Sequence, residues 1–268
     1  MSETYKKRIT DFLSSILMPR TVRTNNCDGL IHLLACLTML IDHSGKVLFG
    51  NMALMRNIGR LAFPLFAYCL AAGVVFTHDS RKYLTRIVLL ALISQPFYAL
   101  GLLHTTPAMF AVPFLKNPLG AALTFYLASW QTPSILLSLS LALCILIALR
   151  DRNYILAIGV YVLCERFGSA FDYRIGGIQM ILLFYFTLEH PVLMALCGSA
   201  YLISWAHQLG SSYSFFGIPC SNEIFALPSI LLCAIPMPRF FRLPKAFSYL
   251  FYPLHAILLW LLHTAFIH

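Results

Sequence analysis

The stretch Gly29–Phe49, GLIHLLACLTMLIDHSGKVLF, indicates what kind of protein this chain is. It is apolar and about as long as the roughly 20 residues that a helix needs to cross a bilayer. Its second half nevertheless carries Asp42, His43 and Lys46. An ionisable group at bilayer depth costs about 2.5–3.5 kcal/mol on insertion scales. Such groups therefore either have partners or mark a site.

The composition is that of a membrane protein. Hydrophobic residues make up 59% of the 268 residues and charged residues only 11%, whereas soluble domains carry about 25% charged residues. Mean hydropathy is +0.78. The net charge of +9 fits an excess of Lys and Arg at cytoplasmic helix ends. We therefore predict a multi-pass protein in contact with membrane lipids, and no binding to nucleic acid.

Apolar segments follow one another along the chain with short loops between them. They lie near residues 29–50, 57–77, 84–104, 117–130, 133–149, 153–167, 174–189, 191–209, 217–236 and 246–267. The pattern predicts an all-α transmembrane bundle of about ten helices, with eight to ten allowed because the fourth to sixth segments are short. Residues 29–268 are expected to form a single transmembrane domain.

Residues 1–28 have a different pattern from the rest of the chain. They contain the basic residues Lys6, Lys7, Arg8, Arg20 and Arg23, and an apolar stripe of Ile9, Phe12, Leu13, Ile16 and Leu17. A basic flank with such a stripe predicts a short amphipathic helix on the cytoplasmic membrane surface. We also expect no cleavable signal peptide at this end of the chain.

The basic loops predict the orientation. The N-terminal segment and the group Arg81, Lys82 and Arg86 would both be cytoplasmic if the N-terminus is inside. Arg150 and Arg152 then fall on the opposite side if all ten segments cross. They fall on the same side if one middle segment does not cross, and the charge rule favours this second arrangement.

His43 is the leading candidate for a general base, because its ordinary pKa of about 6.5 allows proton uptake near neutral pH. Asp42 is expected to pair with a cation, either Lys46 one turn later or Arg60 on the next helix. The other interpretation of this cluster is structural, as a group of polar residues that joins two helices, because buried ions need partners.

Two further basic groups could bind an anion. Arg56 and Arg60 are four residues apart on one helix face, where they repel unless an anion lies between them. Arg81, Lys82 and Arg86 would lie at the membrane surface. They are either a topology signal that contacts lipid headgroups or a clamp for the phosphates of a donor such as a coenzyme A thioester.

Other polar residues interrupt apolar segments. Tyr249, Tyr252 and His255 share roughly one side of the last segment, where interface anchoring is the alternative to substrate binding. Gln95, Asp172 and Glu223 are each explained by a core hydrogen bond at least as well as by catalysis. The eight cysteines show no CxxC pair or zinc spacing, so we predict no metal site.

The order of these motifs resembles the TraX family. The matching stretches are LTMLIDHSGKVLF (37–49), IGRLAFPLFAYCLAAGV (58–74), THDSRKYLTRIVLLALISQPFY (77–98), DYRIGGIQMILLFYF (172–186) and SYLFYPLHAILLW (248–260). The resemblance runs from about residue 29 to 262, but residues 105–170 match poorly. The motifs carried over are the Asp42–His43 pair, Gly59–Arg60, and Tyr252–Pro253 with His255.

The resemblance implies a multi-pass protein of the bacterial inner membrane that acetylates the pilin N-terminus, with acetyl-CoA as co-substrate and no bound cofactor. The TraX family is also distantly similar to integral-membrane acyltransferases that use a membrane-embedded histidine. We expect His43 to act as the base, Asp42 to orient or pair, and Arg60 to be an electrostatic partner or to stabilise the oxyanion. Arg56, Arg81, Lys82, Arg86, Tyr252 and His255 are expected to bind substrate or donor.

Three alternative functions use the same apolar helices. An O-acetyltransferase would modify a surface glycan or lipid in place of pilin. A non-catalytic chaperone or scaffold would hold pilin subunits in the membrane and would not need a titrating histidine. A transporter would favour intramembrane acids along a path, and only Asp42 and Glu223 qualify.

Overall fold

The computed structural model describes residues 10–11, 14, 29–168, 172–235 and 241–266. The surface helix predicted within residues 1–28 lies outside these ranges, apart from three helical positions. The chain divides into two compact units, and each is described by itself. The first unit comprises Met1–Met39, Asn57–Phe76 and Gln179–Leu243, and the second comprises Leu40–Arg56, Thr77–Ile178 and Pro244–His268. The predicted single transmembrane domain stays a prediction.

The predicted all-α class is confirmed. In chain order, the α-helices of the described residues are α1 Leu30–Val47, α2 Ala53–Gly59, α3 Ala62–Phe76, α4 Ser80–Gly101, α5 Pro118–Ser129, α6 Ile135–Arg150, α7 Tyr154–Arg166, α8 Arg174–Thr187, α9 Pro191–Leu209, α10 Leu227–Ala234 and α11 Lys245–Phe266. Short 3-10 helices lie at Pro107–Phe110 and Asn222–Ala226. Most of these helices begin and end within a few residues of the predicted apolar segments.

The ninth predicted segment, 217–236, is not one helix. It begins within a small antiparallel hairpin, in which β1 Tyr213–Phe215 pairs with β2 Ile218–Cys220. The two residues between the strands, Phe216 and Gly217, both have positive φ, as a two-residue hairpin turn requires. Only the last part of the segment, α10, is α-helical. The residues before it cannot join this helix, because the positive φ values at Phe216 and Gly217 and the extended strand β2 are incompatible with helical geometry.

Five helical segments in the described part of the chain are long and apolar enough to cross a membrane. They are Leu30–Val47, Ala53–Phe76, Ser80–Gly101, Pro191–Leu209 and Ala246–Phe266. Shorter apolar helices are Pro118–Ser129, Ile135–Arg150, Arg174–Thr187 and the combined segment Asn222–Ala234. These helices support the prediction of a membrane protein.

Helix α11 carries its apolar residues on the outside and its polar rings inside. Four leucines that are each about half exposed lie three or four residues apart: Leu250, Leu254, Leu258 and Leu261. The side chains of Tyr252 and His255 are buried instead. A soluble helix has the opposite arrangement, with its apolar face inward. The exposed leucines of α11 therefore form a surface suited to lipid.

Helix α4 is the central element of the second unit, where it packs on α5, α6 and α11. A Cβ on Gly101 would overlap the backbone of Ala256, so glycine allows α4 and α11 to approach closely. The buried Gln95 amide donates to the carbonyls of Ser129 and Thr132 and accepts from the N–H of Ser134. Gln95 therefore has the structural role of joining α4 to the loop before α6.

The two ends of α4 have different surroundings. Arg150 at the end of α6 donates to the Thr77 carbonyl, just before α4, over 3.2 Å. Helix α5 ends at Ser129, which is bonded to Gln95 near the other end of α4. Helix α6 therefore returns the chain to the end of α4 at which that helix begins. Arg150 lies at the same end of α4 as Arg81, and the number of segments that cross stays a prediction.

The first unit has its own apolar core. Helix α10 packs on both α3 and α9, and β2 packs on α9. Phe63 of α3 contacts Trp205 of α9 edge to face, with ring centroids 6.2 Å apart. Ala206, Cys220 and Ile224 form a small buried cluster beneath the hairpin. These contacts hold the segment around Glu223 against α3 and α9.

Candidate functional site

Two histidines that are far apart in the sequence contact each other in the second unit. Nδ1 of His43 on α1 lies 2.7 Å from Nε2 of His255 on α11. Their rings are stacked, with centroids 5.0 Å apart and planes 17° from parallel. The His255 residue is only 4% exposed and the side chain of His43 14%. The pair is therefore held in a largely dry environment.

The hydrogen bonds of this pair define the tautomers. Nδ1 of His255 lies 2.9 Å from the carbonyl oxygen of Phe251, which can only accept, so this nitrogen carries the proton. Nε2 of neutral His255 must then accept, and Nδ1–H of His43 donates to it. The lone pair of neutral His43 is consequently on Nε2. That nitrogen is the one on which His43 can take up a proton.

Asp42 lies beside the basic nitrogen of His43. Its Oδ2 is 4.0 Å from His43 Nε2 and 2.5 Å from Nη1 of Arg56. The same guanidinium donates to the Asp42 carbonyl oxygen over 3.4 Å. The carboxylate can stabilise a positive charge on His43, while its ion pair with Arg56 holds it in position.

A tight turn after α1 brings Arg56 back to Asp42. Gly50 and Asn51 both have positive φ, a conformation that glycine and asparagine adopt most readily. The chain reverses there, and the Met52 N–H donates to the Gly45 carbonyl oxygen over 3.0 Å. The first turns of α2 therefore run beside the end of α1. This turn explains why Arg56 is the partner described for Asp42.

Lys46 has an unexpected partner. Its ammonium lies 2.7 Å from Nε2 of His104, in the loop after α4, and the His104 ring stacks on Tyr98 at 5.5 Å. Burial, with the charges of Lys46 and Arg56, lowers the pKa of His104 to about 4. His104 is therefore neutral at pH 7, and its Nε2 accepts a hydrogen bond from the Lys46 ammonium. No short-range motif around His104 indicates this contact, since its partner is 58 positions away.

Tyr252 connects these two histidine pairs. The residue is only 6% exposed. Its ring stacks on that of Tyr98, with centroids 6.5 Å apart. Its edge faces His255 at 5.6 Å. The aromatic rings of Tyr98 and Tyr252 thus lie between the His43–His255 pair and the Lys46–His104 pair. Tyr252, His255, His43, Asp42 and Arg56 are the predicted site residues that the second unit brings together.

Arg60 has a separate environment in the first unit. Its Nη1 donates to Oε1 of Glu223 over 2.7 Å, and both side chains are about 10% exposed. Glu223 follows Ser221, whose hydroxyl caps the short 3-10 helix. The sequence predicted for Glu223 a core hydrogen bond, a catalytic role or a place on a transport path, and its ion pair with Arg60 was missed because 163 residues separate the two.

The predicted donor-binding residues lie at the beginning of α4. Arg81, Lys82 and Arg86 are exposed, and Lys82 Nζ is 3.1 Å from Asp79. Seventeen residues of helix separate Arg81 from Tyr98, which corresponds to about 25 Å at a rise of 1.5 Å per residue. Arg81, predicted to bind the donor, and His43, predicted to act as the base, therefore lie in different regions of the second unit.

The acidic, histidine and cysteine side chains of the described residues form no group of three or more that could hold a metal ion. The polar contacts of the second unit instead offer hydrogen-bond donors, one basic imidazole nitrogen and a nearby carboxylate. Such a set can remove a proton from a nucleophile and stabilise the charge that results.

The chain is similar to one protein family and to individual proteins of two bacteria. A family model described as "TraX protein" matches residues 28–263. The "Probable fimbrial assembly protein FimC, serogroup H1" of Dichelobacter nodosus is 27% identical over 243 residues, which cover 85% of this chain and 92% of that protein. The "Uncharacterized protein RP591" of Rickettsia prowazekii (strain Madrid E) is 41% identical over 70 residues, 26% of each chain. No solved structure matches significantly.

Proposed function

Because this chain belongs to the TraX family, we propose that it is a membrane acetyltransferase that modifies the N-terminus of a pilin. Acetyl-CoA is the donor, and the bacterial inner membrane is the location. The similarity to a protein named for fimbrial assembly supports a role connected with pili. The observation that carries the catalytic proposal is the buried His43–His255 pair with Asp42 beside its basic nitrogen.

The proposed reaction is direct acyl transfer. The neutral α-amine, whose pKa is about 7.7–8.0, attacks the carbonyl carbon of the acetyl thioester. A C–N bond forms and the C–S bond breaks, so coenzyme A leaves as its thiolate. Nε2 of His43 takes the proton that the amine loses and returns it to the thiolate sulfur. Proton transfer of this kind typically contributes about 10²–10⁴-fold to a rate.

The neighbours of His43 have distinct roles in this scheme. His255 accepts the Nδ1–H of His43 and so keeps Nε2 free of a proton in the resting state. Asp42, 4.0 Å from Nε2, stabilises the imidazolium that forms during transfer. Arg56 orients Asp42 through its carboxylate and its carbonyl oxygen. Substrate binding by Arg56 and His255 is therefore less well supported than these positioning roles.

The contact described for Arg60 favours a structural role for this residue. A buried guanidinium that is paired with a buried carboxylate mainly satisfies that carboxylate. We therefore place the proton transfer on His43 and Asp42, and we do not assign the oxyanion to Arg60.

Donor binding is proposed at the start of α4. Arg81, Lys82 and Arg86 are exposed cations at one end of a helix that is long enough to cross the bilayer. If that end is cytoplasmic, these residues meet the phosphates of acetyl-CoA where the donor is made. The distance of about 25 Å from Arg81 to Tyr98 requires the acyl group to reach deep along α4 from that end.

The test of the proposed function is the intact mass of pilin purified from cells with and without the gene, and from cells carrying His43→Gln. Acetylated pilin is expected only with the wild-type protein. The exposed His78 provides the control His78→Gln, which should behave as wild type. A pilin mass that does not depend on the gene would contradict the proposal, and an acetyl-sized change on a glycan or lipid would transfer it to that acceptor.

A further inference from the structure

Six buried hydroxyl groups of the second unit have no hydrogen-bond partner within the described residues: those of Ser94, Thr106, Thr132, Ser134, Ser138 and Tyr252. Ser134 and Ser138 belong to the N-cap and first turn of α6, and Tyr252 belongs to α11. These last three residues are only 1%, 3% and 6% exposed. Buried hydroxyls nearly always find a partner, and an exception calls for an explanation such as a ligand or an ordered water. None of the proposed proton-transfer steps uses these groups.

Two of the hydroxyls are at the beginning of α6. Ser134 is the N-cap residue, but its side chain makes no cap hydrogen bond, and its own N–H is taken by Gln95. The next amides, of Ile135 and Leu136, have no acceptor inside the helix because of their position. Ser138 follows Ser134 by four residues and so lies on the same helix face. This helix end carries partial positive charge.

The third hydroxyl comes from Tyr252 on another helix, α11. The Tyr252 ring stacks on Tyr98, and Tyr98 lies one turn of α4 after Gln95, whose side chain accepts from the Ser134 N–H. The Tyr252 ring and the start of α6 therefore pack on the same part of α4, and Ser134 contributes to the electrostatic surroundings of the Tyr252 hydroxyl. The Tyr252 ring also contacts the His255 ring at 5.6 Å between centroids.

These groups share one chemical property. Hydroxyls and free amides at a helix N-terminus donate hydrogen bonds, and in a dry site they favour an oxygen that carries negative charge. The charge of Asp172 acts on Tyr252 through space and opposes this preference. Asp172 is exposed, however, so solvent screens its charge. The donor set therefore suits an oxyanion rather than a cation.

We propose that Tyr252, Ser134, Ser138 and the first amides of α6 form the oxyanion site of the acetyl transfer. This inference rests on the proposed function. When the amine nitrogen attacks, the electron pair of the carbonyl π bond moves to the oxygen, and these donors stabilise the resulting charge. When the C–S bond breaks, the pair returns and the carbonyl is restored. In this scheme the site takes the place of Arg60, for which oxyanion stabilisation was one of two predicted roles.

The test measures acetyl transfer by purified Tyr252→Phe and Ser134→Ala variants in the full-length chain. Removing one oxyanion donor typically lowers kcat about 10²–10³-fold, and we expect this loss with little change in the KM for acetyl-CoA. Ser134→Thr keeps the hydroxyl and should retain most of the rate. Tyr154→Phe, at an exposed tyrosine at the start of α7, is the control and should keep the wild-type rate. A normal kcat in folded Tyr252→Phe would overturn the proposal while leaving the acetyltransferase function intact.

A second measurement separates this site from the proposed function. Acetate carries the same kind of oxygen, so sodium acetate should raise the thermal stability of the wild type more than sodium chloride at equal ionic strength. Tyr252→Phe and Ser134→Ala should lose that increase. If the wild type transfers no acetyl group, this difference alone would still support an anion site at α6. An equal response of wild type and variants would show that the hydroxyls serve only the fold, and would overturn the inference.

Discussion

Nδ1 of His43 and Nε2 of His255 lie 2.7 Å apart although 212 positions separate them in the chain. This contact joins the second half of α1 to the middle of α11. It also determines which nitrogen of His43 is basic, because the carbonyl of Phe251 fixes the proton of His255. The two histidines therefore act as a unit, in which one is the base and the other positions it.

His255 is expected to act as a positioning residue. In His255→Ala, His43 loses the acceptor of its Nδ1–H, so its other tautomer becomes populated and the rate should fall about 10–100-fold, as for other residues that orient a reacting group. His255→Gln keeps an acceptor oxygen and should retain more of the rate. The measurement is the pH–rate profile of each folded variant. If the pH–rate profile of His255→Ala is identical to that of the wild type, His255 does not have this positioning role.

The Arg60–Glu223 ion pair should contribute to the stability of the first unit. Removing one partner leaves a buried charge unpaired, which costs about 3–5 kcal/mol. Arg60→Gln and Glu223→Gln should each lower the thermal stability of the purified protein, and the double variant should recover part of the loss. Strictly additive losses would show that the two side chains do not interact.

The Lys46–His104 contact predicts a loss of stability in acid. The pKa of His104 is about 4 in the fold, below the value of about 6.5 for an exposed histidine, so the unfolded state binds this proton more readily. The stabilisation is complete above pH 6.5 and decreases as the pH falls towards 4. His104→Gln cannot titrate and should flatten the stability curve over that window. Parallel curves for wild type and variant would exclude His104 as the cause.

The contact between Arg150 and Thr77 predicts that Arg86 and Arg152 lie on the same side of the membrane. Arg86→Cys and Arg152→Cys should therefore both resist a membrane-impermeant thiol reagent in intact cells and react after permeabilisation, if that side is cytoplasmic. The unsubstituted protein shows the background from native cysteines. Labelling of only one position in intact cells would contradict the path of the chain through α5 and α6.

Much of the fold could be predicted because membrane helices leave a local pattern. Apolar runs separated by short loops predicted most of the helices, and the segment predicted at 117–130 is a helix of only 12 residues, Pro118–Ser129. The hairpin at Tyr213–Cys220 was missed because its strands are three residues long. An apolar run of that kind reads equally well as the start of a helix.

The candidate site was only partly predictable, because most of its contacts join residues that are far apart in the chain. Asp42 and His43 were conspicuous as charged groups in an apolar segment, and His255 shared a helix face with Tyr252. Their partners depend on long-range contacts, however, and the turn at Gly50 and Asn51 brings Arg56 to Asp42. Ser134 gave no signal at all, since an N-cap serine is ordinary until its hydroxyl is seen without a cap bond.

The most direct test of the central claim is the rate of acetyl transfer by purified His43→Gln. Glutamine has a similar reach and keeps a polar group toward His255, but it cannot take up a proton near neutral pH. The proposed mechanism predicts a folded, membrane-inserted variant whose rate is about 10²–10⁴-fold below that of the wild type, with His78→Gln unaffected. A folded His43→Gln variant that acetylates its acceptor at the wild-type rate would contradict the proposal that His43 is the base.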